Sequence, residues 1–174
     1  MGINWKSGFI KPFWDNEYKN LNYTHTLFNN NNDLVRWRKQ GYNPAHEARG
    51  FMCNMRKKQP TWNKKFIEWF SEEFKLKDVC SSYYRMGTGA ILPTHKDTYT
   101  LYKKLFNCSL DDIERAIIFL EDWQSGHYFE IEKTLIIEWN KGDYVWWKSD
   151  AEHMAANIGV TKRYTLQLTG HRCD

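Results

Sequence analysis

No apolar run in the sequence approaches the ~20 residues needed to cross a bilayer, so no membrane span is expected. There is no CxxC pair: Cys53, Cys80, Cys108 and Cys173 lie far apart. That spacing excludes a dense disulfide framework and reads as reduced thiols in a cytoplasmic protein. There is no block of like charge either. The formal net charge is only +4 and the basic residues are dispersed, so composition does not argue for a nucleic-acid surface. The opening MGINWKSGF lacks the apolar core of a signal peptide. Ser7 falls one place late for the pattern in which Gly2 would be myristoylated. The chain has no internal repeat, and it is expected to stay where it is made.

What is abundant is aromatic. Nine Trp, ten Tyr and ten Phe in 174 residues are rich for a small soluble protein, so many rings must pack inside and some can line a pocket. The length suits one domain, residues 1–174, with a flanking segment and helix over 1–78 and a β core over 79–170. The first 60 or so residues are polar and punctuated by Pro12, Pro44 and Pro60. The run Asn29–Asn32 is a loop signal, and clusters such as Phe13-Trp14 and Trp37 are expected to dock this segment onto the body. Thr61–Phe74 reads as an amphipathic helix capped by Thr61, with Trp62, Phe66, Phe70 and Phe74 on one face. Ser109 with Asp112 predicts a short second helix before Arg115.

From Val79 onward the texture is that of strands. They are expected at Val79–Met86, Ala90–Leu92, Arg115–Glu121, His127–Ile131, Thr134–Trp139, Asp143–Trp147, His153–Ile158 and Arg163–Thr169. All are short, β-branched or aromatic, and separated by turn residues such as Gly87-Thr88-Gly89 and Lys141-Gly142-Asp143. So many short strands with little helix between them point to a mainly β sandwich or barrel.

Within that frame, Pro93-Thr94-His95-Lys96-Asp97 sets an imidazole and a carboxylate two residues apart. In an extended segment such residues point to one side and can converge on one ion. His153 begins a later strand. Two His and one carboxylate suit non-haem iron(II), leaving coordination positions open, although zinc takes the same ligands. His25, His46, His127 and His171 have no such company and read as ordinary surface or packing residues. Ten residues after His153 comes Arg163. A turn at Gly159-Val160-Thr161 is expected to fold this piece into a hairpin that returns Arg163 beside His153, where a guanidinium can grip a dicarboxylate by two parallel hydrogen bonds. Thr165 shares that face.

HxD, a distal His, and Arg at plus ten with Thr two further on resemble the 2-oxoglutarate/iron(II)-dependent dioxygenase superfamily, and in layout its prolyl-hydroxylase-like branch. Tyr83 to Asp97, Arg115 to Asp122 and Gly142 to Trp147 resemble that branch's core stretches, so the similarity spans roughly residues 79–170. It implies a double-stranded β-helix, a jelly-roll, cupin-like barrel with flanking helices and the metal inside. It implies a hydroxylase that uses O2 to couple oxidative decarboxylation of 2-oxoglutarate to hydroxylation of a substrate C–H bond, with His95, Asp97 and His153 holding Fe(II), Arg163 holding the co-substrate, and ascorbate as reductant. Where the branch has a Tyr before the Leu of its core strand, this chain has Phe119, and Tyr83 and Thr165 are taken to supply that polar contact. The sequence around 98–114 departs from the family, so substrate class does not carry over. A free amino acid, a peptidyl residue or a small metabolite would fit, and Tyr99–Asp112 is expected to form a lid. The alternatives are a non-oxygenase cupin-like metalloprotein, which needs no Arg163, and a non-catalytic jelly-roll module gripping a ligand through aromatics such as Trp123.

Overall fold

In the computed structural model, which describes residues 4–26, 30–42 and 50–172, the alternating stretches become strands in two facing sheets. Gly2, Pro44, His46 and Cys173 lie outside the described residues. The elements in chain order are β1 (Trp5–Phe9), β2 (Thr24–Thr26), α1 (Asn31–Lys39), β3 (Gly50–Asn54), α2 (Asn63–Phe74), β4 (Lys77–Met86), β5 (Ala90–His95), α3 (Thr100–Phe106), β6 (Ile113–Phe119), β7 (His127–Ile131), β8 (Thr134–Ile136), β9 (Asp143–Lys148), β10 (His153–Asn157) and β11 (Arg163–His171). A major sheet ordered β1-β9-β6-β11-β4-β3-β2 faces a minor sheet ordered β5-β10-β7-β8. This is the expected double-stranded β-helix with flanking helices. Among the described residues no helix is long and apolar enough to cross a membrane.

Period-two alternation sorts the major sheet into two environments. On its outer face, Tyr83, Ile118, Trp146, Leu166 and Leu168 pack against Phe66, Phe70 and Phe74 of α2. On its inner face, Met86, Ile117, Phe119, Val145 and Trp147 meet Phe129, Ile131 and Ala155 of the minor sheet. Trp146 and Trp147 therefore part company. Trp146 stacks on Phe74, centroids 5.6 Å apart, while Trp147 is fully buried between the sheets. Arg85 lies outside the barrel, its guanidinium over Tyr23 and Phe51 at 4.9 and 4.6 Å.

Several elements differ from expectation. The N-terminal segment contributes strands: β1 extends one edge of the major sheet, and β3 with β2 extends the other. Part of the Asn run starts a helix, since the Asn30 side chain accepts a bond from Asn32 N at 3.1 Å and so caps α1. α2 begins at Asn63 without a cap from Thr61. Its first turn is fixed instead by Asn63, which donates to Ser81 Oγ at 3.0 Å and accepts from the Tyr83 hydroxyl at 2.7 Å. The short helix before Arg115 is displaced to Thr100–Phe106, ended by Asn107 in the left-handed region (φ 50). β8 stops at Ile136, and Glu138 (φ 56) turns the chain so that Trp139 stacks on Phe119 at 4.0 Å. β5 runs on through Pro93 to His95, which an edge strand tolerates.

Phe70 is fully buried at the centre of the α2 stripe. Phe70→Ala is expected to cost about 3–5 kcal/mol in chemical denaturation, with metal binding per folded molecule unchanged because α2 lies on the far side of the sheet from the metal-binding candidates.

Candidate metal centre

β5 and β10 are antiparallel neighbours, and their register sets His95 opposite His153, with ring centroids 4.3 Å apart. Asp97, just past β5, reaches back to within 3.8 Å of His95 Nε2 and 3.5 Å of His153 Nε2. One ligand atom from each of the three lies within 4.8 Å of the others. The His95 Nδ1 sits 2.8 Å from the Pro93 carbonyl and the His153 Nδ1 3.1 Å from that of Ala151. Assigned from those partners, Nδ1 carries the proton and Nε2 offers its lone pair to an ion. Burial, helped by His153, pushes the His95 pKa from 6.5 down to about 4, and burial lowers that of His153 too. Both rings are thus neutral at neutral pH, as ligands must be.

Burial alone would raise the Asp97 pKa, but Arg115 and the two histidines outweigh it and bring it down to about 2. Arg115, on β6, donates to Asp97 Oδ2 at 2.6 Å and to Thr169 Oγ1 at 3.1 Å. α1 braces the other ligand strand. The Trp37 indole donates to the Thr94 carbonyl at 2.9 Å, joined by Arg36, and its ring meets His95 edge-on at 6.1 Å. Three such donors, held in a partly dry site and open on one side, fit a divalent transition ion with free coordination positions.

The triad opens into a cleft of about 940 Å³ whose floor carries Tyr84, Arg163, Thr165 and Gln167. Arg163 is 3% exposed and lies near the rings of Phe129 and Trp139. Its Nη1 donates to the Tyr128 carbonyl at 2.9 Å, while its buried Nε has no hydrogen-bond partner. No ion pair neutralises it among the described residues, and burial lowers its pKa from 12.5 to about 10 against the opposing effect of Tyr84. A buried cation without a counter-ion is costly, and an anionic ligand entering the cleft would relieve it.

Arg163 does not arrive by a hairpin. β10 belongs to the minor sheet and β11 to the major one, so the chain crosses the barrel between His153 and Arg163. Asn157 secures the crossing: its amide donates to the Met86 carbonyl at 2.9 Å and the Thr161 carbonyl at 2.7 Å. Gly159 packs directly on the Ser125 carbonyl, leaving no room for a side chain.

Thr165 is buried on the cleft floor, in register with Tyr84. Tyr83 is not there. It points through the other face of β4 into the α2 core, because the helix side takes the odd positions of that strand. Tyr84 has the cleft position that the reading of the sequence gave to Tyr83. Burial pushes its hydroxyl up to about 12, and its ring lies over Gly50, where a Cβ would collide with it. α3 covers one end of the cleft, but Tyr102 is buried with its hydroxyl on the Asp78 carbonyl at 3.0 Å. Thr100, Leu101, Lys104 and Leu105 are the α3 residues exposed along the cleft.

No family model and no curated protein matches the sequence. The fold is similar to that of a prolyl-4-hydroxylase from Pseudomonas putida, at 16% identity over 90% of this chain and 96% of that one, TM-score 0.57. It is similar to a 2OG-Fe(II) oxygenase family oxidoreductase from Burkholderia pseudomallei, at 9% identity over 90% and 76%, TM-score 0.58. A viral collagen prolyl hydroxylase from Paramecium bursaria Chlorella virus-1, solved with 2OG, matches at 10% identity over 99% and 98%, TM-score 0.54. The barrel is therefore the one shared by 2-oxoglutarate oxygenases, and it holds a His-Asp-His metal-site candidate.

The unfolded chain takes a proton on His95 near pH 6.5 and the folded chain only near pH 4. Between those values the unfolded state binds more protons, so stability falls as pH drops. Metal-free protein is expected to lose about 3 kcal/mol from this residue between pH 6.5 and 4. Urea midpoints across that range, compared with a His95→Gln variant, check it.

Proposed function

We propose that the chain is an iron(II)- and 2-oxoglutarate-dependent hydroxylase. The observation that carries this reading is the pairing of two features in one cleft: the triad of His95, Asp97 and His153, and the buried, uncompensated guanidinium of Arg163. A metal-binding barrel of another kind has no use for the second.

His95 and His153 would hold Fe(II) through Nε2 and Asp97 through its carboxylate, a donor set that leaves room for a co-substrate. Arg163 would hold a carboxylate of 2-oxoglutarate through its N–H donors, with Tyr84 and Thr165 lining the same cleft. Phe129 and Trp147 wall the site against water. The bound iron supplies the redox chemistry by which O2 oxidises 2-oxoglutarate to succinate and carbon dioxide and hydroxylates a C–H bond. The remaining cleft, between β3, β4 and α3, takes the substrate, either a free small molecule or a peptidyl residue. Release of succinate, with iron, ascorbate and candidate substrates present, tests the activity. A protein that binds iron and 2-oxoglutarate but releases none with or without substrate would argue for a binding module.

Removing one partner of a desolvated charge pair costs about 2–5 kcal/mol, or roughly 30- to 5,000-fold in affinity. Arg163→Ala is expected to weaken 2-oxoglutarate binding to manganese-loaded protein by at least the lower factor in titration calorimetry, with metal binding nearly intact. Arg163→Lys should recover part of the loss, since it restores the charge but not the fork. Unchanged co-substrate affinity in the Ala variant would remove Arg163 from the site.

A further inference from the structure

The cleft holds more positive charge than the co-substrate accounts for. Its lining includes Arg56, Lys96, Lys104, Arg115 and Arg163 but a single acid, Asp97. The whole chain has 25 basic residues against 21 acidic ones, so the imbalance belongs to the cleft and not to the composition. Arg115 is engaged by Asp97 at 2.6 Å, and Arg163 lies buried at the floor. Arg56, Lys96 and Lys104 remain. They come from three separate segments: the loop after β3, the position between two of the metal-binding candidates, and α3. All three are exposed, and among the described residues none has an ion pair. Their surroundings offer little to neutralise them. α3 and the loop over residues 55–62 contain no acid. Asp33 on α1 is held by Arg36 at 2.8 Å, and Asp78 on β4 by His171 at 2.9 Å.

We propose that the substrate of this cleft is a small anionic molecule, whose carboxylate or phosphate is held at the mouth by Arg56, Lys96 and Lys104. The proposal rests on the hydroxylase reading above, which assigns the outer cleft to a substrate and Arg163 to the co-substrate. Charges of one sign gathered in a concave site raise the local concentration of the opposite ion. Two of the three are lysines, compact charges on flexible stems, so the mouth selects for charge more than for one anion geometry. Met52, Met55, Leu101 and Leu105 line the same cleft, and they favour a substrate that joins its anionic group to an apolar body. A nucleic acid fits less well. The cations sit inside a cleft of about 940 Å³, the size of a small-molecule site, and the other basic residues are dispersed along the chain.

The probes are phenyl phosphate and benzoate, with benzyl alcohol as the neutral control. Each is titrated by ligand-observed NMR into zinc-loaded protein saturated with 2-oxoglutarate, since zinc takes the same ligands without redox chemistry. The parent should bind at least one of the anions roughly tenfold more tightly than the alcohol, and added salt should weaken that binding. The double variant Arg56→Gln/Lys104→Gln should lose roughly threefold or more of the anion affinity, with the alcohol unaffected. Both side chains are exposed, so the fold does not depend on their charge, and Lys96 is left in place because it lies between two candidate ligands. A preference for one anion identifies the group that the substrate carries. A parent that binds neither anion more tightly than the alcohol overturns the proposal, and so does a double variant that binds them as the parent does. Failure of the hydroxylase reading is a different result: 2-oxoglutarate then does not bind the zinc-loaded parent at the first step. The comparison of parent with double variant still decides the anion site in that case.

Discussion

Two imidazoles can share an ion only if the backbone holds them face to face, and here the pairing of β5 with β10 does so, with His95 and His153 in register. The register is irregular between His153 and Ala155, which places the shift beside the ligand, as irregularities near functional sites often are. β5 is an edge strand, and an edge carrying a ligand needs an outside support. α1 supplies it through Trp37 and Arg36 on the Thr94 carbonyl. Asp97 lies beyond the strand, where pairing cannot fix it, and the Arg115 ion pair does so instead.

The rest of the molecule makes that polar interior affordable to fold. Two buried histidines beside a partly buried Asp97, a buried Arg163 and a cleft floor of Thr165, Gln167 and Ser82 all oppose folding relative to an apolar core. The opposing stabilisation comes from the far side of the same sheet, where α2 presses Phe66, Phe70 and Phe74 onto an aromatic and aliphatic face. One strand serves both ends: β11 turns Tyr164, Leu166 and Leu168 outward to the core, and Arg163, Thr165 and Gln167 inward to the cleft. A one-residue slip of β11 would exchange the two sets, so the apolar packing fixes where Arg163 points.

Much of this was legible in the sequence because the chemistry of the site is local. His95 and Asp97 are two residues apart, Arg163 is ten from His153, and short alternating stretches imply strands whatever their partners. What could not be read depended on partners distant in sequence. Tyr83 and Tyr84 are equivalent in composition, and only the docking of α2 decides which of them faces the cleft. The span from His153 to Arg163 looks like a hairpin because turn residues lie between them, yet the same turn also serves a crossing between sheets. β1, β2 and β3 carry weak alternation and owe their strand form to the exposed edges that they cover. Arg115 read as an ordinary strand residue, for its partner Asp97 lies 18 positions away with α3 between them.

The account stands or falls on whether the triad and Arg163 bind their two ligands together. The direct measurement is the visible spectrum of iron(II)-loaded protein as 2-oxoglutarate is added without oxygen. A metal-to-ligand charge-transfer band that grows to saturation, and that is missing from the His153→Ala variant, is the result the account predicts. Iron-loaded protein whose spectrum is unmoved by 2-oxoglutarate would contradict it.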